Sequence, residues 1–153
     1  MTGAEGLIFR NARREDVPSL MALLSDDPLG QTREGTDLAP YLAAFDAISA
    51  QPMHQIIVGD LNGRIVATCQ LTLLHGLSRQ GMTRALVEAV RTAPEFRSLG
   101  IGAALMAEAE ARARKAGAGI IQLTTDKTRP RAHAFYDRLG YVASHLGYKK
   151  PLI

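Results

Sequence analysis

The chain is predicted to be an α+β protein whose mixed sheet is mostly antiparallel, with a single parallel crossover. Three observations predict it. In "HQIIVGDLNGRIVATCQLTLLHG", two alternating apolar runs meet at Asn62 and Gly63, both of which tolerate the positive φ of a tight hairpin. Next, "RALVEAVRT", a long run of helix formers and "GIIQLTT" follow one another as strand, crossover helix and strand. Finally, two helical patterns stand between a first short strand and the hairpin.

Taken in order, "LIFRNA", Leu7 to Ala12, is the first strand. A helix follows with Asp16 as N-cap and Val17, Leu20, Met21 and Leu24 at helical spacing, stopping near "DDPLG". A polar loop, "GQTREGTD", leads to a second helix from about Leu38 to Ala50, with Leu42, Phe45 and Ile48 on one side and Pro52 beyond its end. After the hairpin, "SRQGMT" is a turn and "RALVEAVRT" a strand. The next helix runs from about Leu99 to Ala116 and is closed by Gly117. Leu86 to Thr92 and Ile120 to Thr125 are expected to be parallel neighbours. A helix from Pro130 to Leu139 and a last strand from Tyr141 to about Lys149 complete the order β-α-α-β-β-β-α-β-α-β.

At 153 residues, 46% hydrophobic and 22% charged, the chain suits one domain, 1–153, with one core. No apolar run approaches the roughly 20 residues that span a bilayer. "MTGAEGLIFRN" lacks the pattern of a signal peptide, so a cytoplasmic protein without a membrane role is expected. Cys69 is the single cysteine, set inside apolar alternation, which excludes an intrachain disulfide and argues for a small buried residue. Net charge is +3, with 18 Lys and Arg scattered along the chain and no Trp. That pattern favours a small anionic ligand over a nucleic acid, which would want a basic block or a stacking platform.

The segment "APEFRSLGIGAALMAEAEARARKAG", Ala93 to Gly117, places Arg97 and two glycines where a helix begins. A helix start leaves backbone N–H groups unpartnered and partly positive, and glycine lets an oxygen-rich group come close. Arg97 adds a permanent cation able to fork onto phosphate oxygens. From the glycines alone, a solvated turn that merely eases strand-to-helix packing is an equal reading. A phosphate loop of the nucleotide-hydrolase kind is excluded, because Gly102 is followed by Ala103 and Ala104 rather than Lys and Ser or Thr. A dinucleotide fingerprint is excluded too, since Leu105 stands where it requires a third glycine.

"VEAVRTAPEFRSLGIGAALM" resembles the acetyl-coenzyme A motif of the GNAT superfamily of N-acetyltransferases: Gln or Arg, two residues, Gly, one residue, Gly or Ala. "RAHAFYDRLGYV", Arg131 to Val142, resembles its second signature, and the element order matches over essentially the whole chain. The resemblance implies the acyl-CoA N-acyltransferase fold, with six to seven strands and about four helices. It also implies acetyl-CoA as co-substrate, no metal, and direct transfer to an amine in a ternary complex. By the same resemblance, the backbone of Leu99, Gly100, Ile101, Gly102 and Ala103 holds the pyrophosphate beside Arg97 and Ser98. Main-chain groups of Val90, Arg91 and Thr92 pair with the pantetheine arm as a strand would, and Phe135 belongs to the donor site. Arg129 stands where many members carry a coenzyme-contacting Asn; the contact becomes a phosphate pairing or is lost.

Glu88 is the one charge in "ALVEAV", and a carboxylate in an apolar strand calls for an account. The resemblance makes it the general base that deprotonates the attacking amine, which at neutral pH is mostly ammonium. A solvent-facing glutamate, or one paired with Arg79 or Arg84, is the plainer alternative. Tyr136 matches the family's general acid for the departing thiolate, with a backbone N–H near Val90 receiving the oxyanion. Ala132, Phe135, Tyr136 and Leu139 also form a core-facing stripe, so a packing tyrosine is the competing account. His54, His75, His133 and His145 lack metal spacing; His75 borders the acceptor cleft that the family implies. That cleft would offer Asp26, Asp27, Glu34 and Asp37 on one side and Arg79 and Arg84 on the other. The expected acceptor is a primary amine of a small molecule or peptide, and a homodimer is expected. A non-catalytic acyl-CoA-binding sensor would keep "RSLGIG" without needing Glu88 or Tyr136.

Overall fold

The computed structural model describes residues 4–153. The chain divides into two compact units, one ending at Gln122 and the other spanning Leu123–Ile153. The first holds five strands in the order β1 (Leu7–Asn11), β2 (His54–Leu61), β3 (Arg64–Leu74), β4 (Arg84–Thr92) and β5 (Ile120–Gln122). All neighbours are antiparallel except β4 and β5, which run parallel with Arg84 opposite Ile120 and Leu86 opposite Gln122. The β2–β3 hairpin turns on Asn62 at φ +53° and Gly63 at φ +90°, the left-handed pair that matches strand twist.

Helices α1 (Val17–Ser25), α2 (Pro28–Arg33) and α3 (Leu38–Ser49) follow β1, and a short turn, α4 (Ser78–Gly81), joins β3 to β4. The crossover from β4 to β5 is α5 (Ile101–Lys115). Strand alternation sorts the faces. Arg112 of α5 bonds Gln55 at 3.0 Å and also reaches Asn11, so α5 covers the face carrying Gln55, Ile57, Cys69, Leu71, Ala85 and Val87. Ile57, Leu71 and Val87, with Ile101, Leu105 and Met106 of α5, are fully buried and form the core. On the other face, Arg10 of β1 grips Asp16 at 2.7 Å just before α1 and Asp60 of β2 at 3.0 Å. This second face, with Gln70, Thr72, Leu86 and Glu88, lies on the side of α1, which packs on β3 and β4, while α3 packs on β2.

The second unit contains α6 (Pro130–Arg138), opened by Pro130 at its first position and followed by chain without regular structure to Ile153.

Several expectations need correction. Among the described residues the sheet has five strands, not six to seven. The last strand expected from Tyr141 to Lys149 is absent, because Val142, Leu146 and Tyr148 are 81%, 82% and 91% exposed and that alternation finds no apolar face to bury. Six α-helical segments among the described residues replace about four. The extra α2 lies where a polar loop was expected, since Asp27 caps it by accepting from the Gly30 N–H and Pro28 presets its first φ. The other addition, α4, is a left-handed turn with Arg79 at φ +53° and Gln80 at φ +59°. β5 ends at Gln122 rather than Thr125, so parallel pairing covers Arg84–Leu86 instead of Leu86–Thr92.

Candidate active site

β4 carries a bulge where the chemistry was expected. Gln70 pairs with Glu88 and Thr68 with Arg91, so Cys69 alone opposes Ala89 and Val90. Ala89 takes φ +52°, a left-handed conformation that costs a residue with a Cβ roughly 1–2 kcal/mol. The extra residue reverses side-chain parity. Glu88 before the bulge and Arg91 after it therefore lie on the same face, that of α1, where an uninterrupted strand would set them on opposite faces. Glu88 is exposed across from Gln70 and has no ion-pair partner among the described residues. Arg84, one of the partners considered from sequence, instead donates to Gln122 Oε1 at 3.1 Å. Beyond Leu86, β4 is laddered to β3 and not to β5.

Two of the main-chain groups expected to meet the pantetheine arm are engaged by arginines. Arg91 Nη1 donates to the Val90 carbonyl at 3.0 Å, and Arg97 Nε donates to the Thr92 carbonyl at 3.2 Å. Arg91 itself is largely buried and lies 3.2 Å from Asp27, the α2 cap. Arg97 is half-exposed and lies 3.5 Å from Asp26. The adjacent carboxylates at the α1–α2 corner thus reach the bulged strand and the following loop respectively. The sequence showed Asp27 as part of an acidic stretch before Pro28; its ion partner, 64 positions along the chain, left no local signal.

From Ala93 the chain makes a 3-10 turn, Pro94–Phe96, then Arg97, Ser98 at φ +64°, Leu99 and Gly100 at φ +82° before α5 begins. The N-cap position is Gly100, so no N-cap side chain occupies this helix start. Its first N–H groups therefore keep the partial positive charge and the donor capacity that suit an anion. A Cβ built on Gly100 would meet nothing within 4 Å, so the approach to those amides is open. Ile101 turns its side chain into the core, 1% exposed, while Gly102 and Ala103 are half-buried. Leu99 is 45% exposed. Backbone donors, open approach and Arg97 together fit a pyrophosphate.

In the second unit, Arg129 is the residue before α6, and its carbonyl accepts from the His133 N–H at 3.1 Å. Phe135 and Tyr136 contact edge-to-face at 5.1 Å between ring centres, and Tyr136 meets Tyr141 the same way at 5.8 Å.

Cys69 is buried, and burial pushes its thiol up to about 12. His54 bonds Thr72 at 3.1 Å and His75 bonds Thr83 at 3.0 Å. No group of three or more potential metal ligands exists among the described residues. No helix among them is long and apolar enough to cross a membrane.

A family model described as "Acetyltransferase (GNAT) family" matches residues 17–141. An aminoalkylphosphonate N-acetyltransferase of Salmonella typhimurium is 32% identical over 94% of this chain and 90% of its own. Among solved structures, a transcriptional regulator from Bacillus halodurans superposes with a TM-score of 0.92 at 38% identity, covering 95% of this chain and 99% of that one. A putative acetyltransferase from Agrobacterium tumefaciens gives 0.82 at 31% identity, covering 94% and 99%. The bulged strand, the glycine turn and these relatives agree: the chain belongs to the GNAT family of acetyltransferases and is an acyltransferase.

Proposed function

We propose that the protein transfers an acetyl group from acetyl-CoA to the primary amine of a small molecule or peptide, by direct attack in a ternary complex. The observation that carries this reading is the uncapped, open start of α5 behind Gly100, directly after a bulged strand that displays Glu88. Acetyl-CoA supplies an activated thioester carbonyl. The backbone of Leu99 to Ala103, with Ser98 and Arg97, holds its pyrophosphate, and Val90, Arg91 and Thr92 line the pantetheine arm. Val90 and Thr92 carbonyls are already bonded to guanidinium groups, so the arm draws mainly on main-chain donors of this stretch.

Glu88 accepts the ammonium proton, directly or through water, so that the neutral amine attacks. A backbone N–H at the bulge near Val90 receives the oxyanion, and Tyr136 protonates the departing thiolate. Arg129 and Phe135 complete the donor site. The reading includes one N-acetyltransferase domain over residues 1–153, a cytoplasmic setting and no metal, membrane or nucleic-acid partner. It also includes a homodimer, for which the exposed Val142, Leu146 and Tyr148 offer apolar surface.

The Salmonella relative's name puts aminoalkylphosphonates first among acceptors to try. The test is thioester release from acetyl-CoA across a panel of amines with the wild-type protein, Glu88→Gln and Tyr136→Phe. Turnover by the wild type, lost in both variants, is expected. Equal turnover in all three would remove both catalytic assignments.

A further inference from the structure

Among the described residues, Arg84 is the half-buried arginine of the sheet that lacks an acidic partner. Among residues 4–122 the others of similar burial each meet a carboxylate: Arg10 with Asp16 and Asp60, Arg91 with Asp27, Arg112 with Glu108. Among the described residues Arg84 donates to the neutral Gln122 alone. Partial desolvation of a cation without a counter-ion is unfavourable, and an arriving anion reverses that cost while using the remaining donors of the guanidinium fork.

The direction of the side chain matters as much as its charge. Gln122 stands in register with Leu86, so the bond to its Oε1 draws the Arg84 guanidinium along β4 toward the level of Leu86. Arg84, Leu86 and Glu88 alternate onto one face. The backbone positions of Leu86 and Glu88 are one strand repeat apart, roughly 6.6 Å, which sets the span a ligand reaching both groups has to cover. Gln122 holds one end of the guanidinium through Nη1 and bears no charge that would neutralise it.

We propose that Arg84, oriented by Gln122, binds the anionic end of a short acceptor whose amino group lies at Glu88. The acceptor class is then a small zwitterion: a primary amine joined by a short chain to a phosphonate, phosphate or carboxylate. This rests on the reading of Glu88 as the proton acceptor. Arg84 sets specificity and takes no part in the transfer, and Gln122 is a positioning residue.

The experiment compares short aminoalkylphosphonates and aminoalkylcarboxylates with alkylamines of the same length, using wild type, Arg84→Gln, Arg84→Lys and Gln122→Leu. In Arg84→Gln, KM for the anionic acceptors is expected to rise roughly 10–100-fold, with KM for acetyl-CoA and turnover of the plain alkylamines unchanged. Arg84→Lys recovers part of that loss, and Gln122→Leu produces a smaller rise of the same selectivity. A parallel titration of an aminoalkylphosphonate into the protein saturated with coenzyme A reads binding without turnover. If no amine is acetylated yet the phosphonate binds in an Arg84-dependent way, the catalytic reading fails and the anion site stands. Binding equal in wild type and Arg84→Gln, or an equal loss with plain alkylamines, overturns the proposal.

Discussion

Ala89 is the residue on which the arrangement of β4 turns. Its left-handed φ of +52° carries a strain that glycine would not, so Ala89→Gly is expected to leave stability unchanged or raise it by up to about 1 kcal/mol in chemical denaturation. Ala89→Val, with a branched Cβ at the same φ, lowers it. Beside it, if Glu88 is the proton acceptor proposed above, Glu88→Gln should reduce kcat by about 10²–10⁴ while KM for acetyl-CoA holds, as steady-state kinetics would show. Gly100 has space for a methyl group but the wrong backbone for one: at φ +82°, Gly100→Ala costs about 1–2 kcal/mol or forces the turn to shift. If this turn holds coenzyme A as proposed, the clearest consequence is weaker coenzyme A binding, measurable by calorimetry. Cys69 should resist thiol reagents in the native protein, because burial holds it as the unreactive thiol.

At the scale of elements, the first strand is tied to the rest by charge. Arg10 reaches Asp16 before α1 and Asp60 on β2, and its bond to Asp16 holds that carboxyl below the usual carboxylate range. A carboxyl whose folded value is depressed contributes stability that is fully present above its unfolded value, about 3.9, and is lost as pH falls through the folded value. Asp16→Asn is therefore expected to lower stability by about 1.5–3 kcal/mol at neutral pH. The gap between variant and wild type narrows below about pH 4, which denaturant titrations at several pH values would detect. Another tie joins α2 to β4 through Asp27 and Arg91. Much of this was visible before the fold: the first five strands, the Asn62-Gly63 hairpin and the crossover helix all carry local signatures, whereas Asp16, expected as the cap of α1, stands at that position but makes no side-chain capping bond there and is held by Arg10 instead. The α2 helix was missed because its signal, Asp27 followed by Pro28, is brief and set among polar residues.

For the molecule as a whole, the exposed tail is the feature with the largest consequence. Val142, Leu146, Tyr148, Leu152 and Ile153 are each more than four-fifths exposed, an apolar load that favours association. If the protein pairs through this segment, deletion of residues 142–153 converts a dimer to a monomer. Light scattering after gel filtration reads the change directly. An unaltered dimer mass after deletion would move the interface elsewhere.

The sequence by itself determined the family, the glycine turn and the crossover, because each depends on residues close together along the chain, and through the resemblance it nominated Glu88 and Tyr136 as candidate base and acid. Only the tertiary structure decided that Ala89 takes a left-handed conformation, that Asp26 and Asp27 meet Arg97 and Arg91, and that Arg84 turns to Gln122 rather than to a carboxylate. A bulge is a register difference between two strands, and an ion pair between distant positions is a product of packing. Neither leaves a periodicity in one strand's residues, so both are legible only once the strands are side by side.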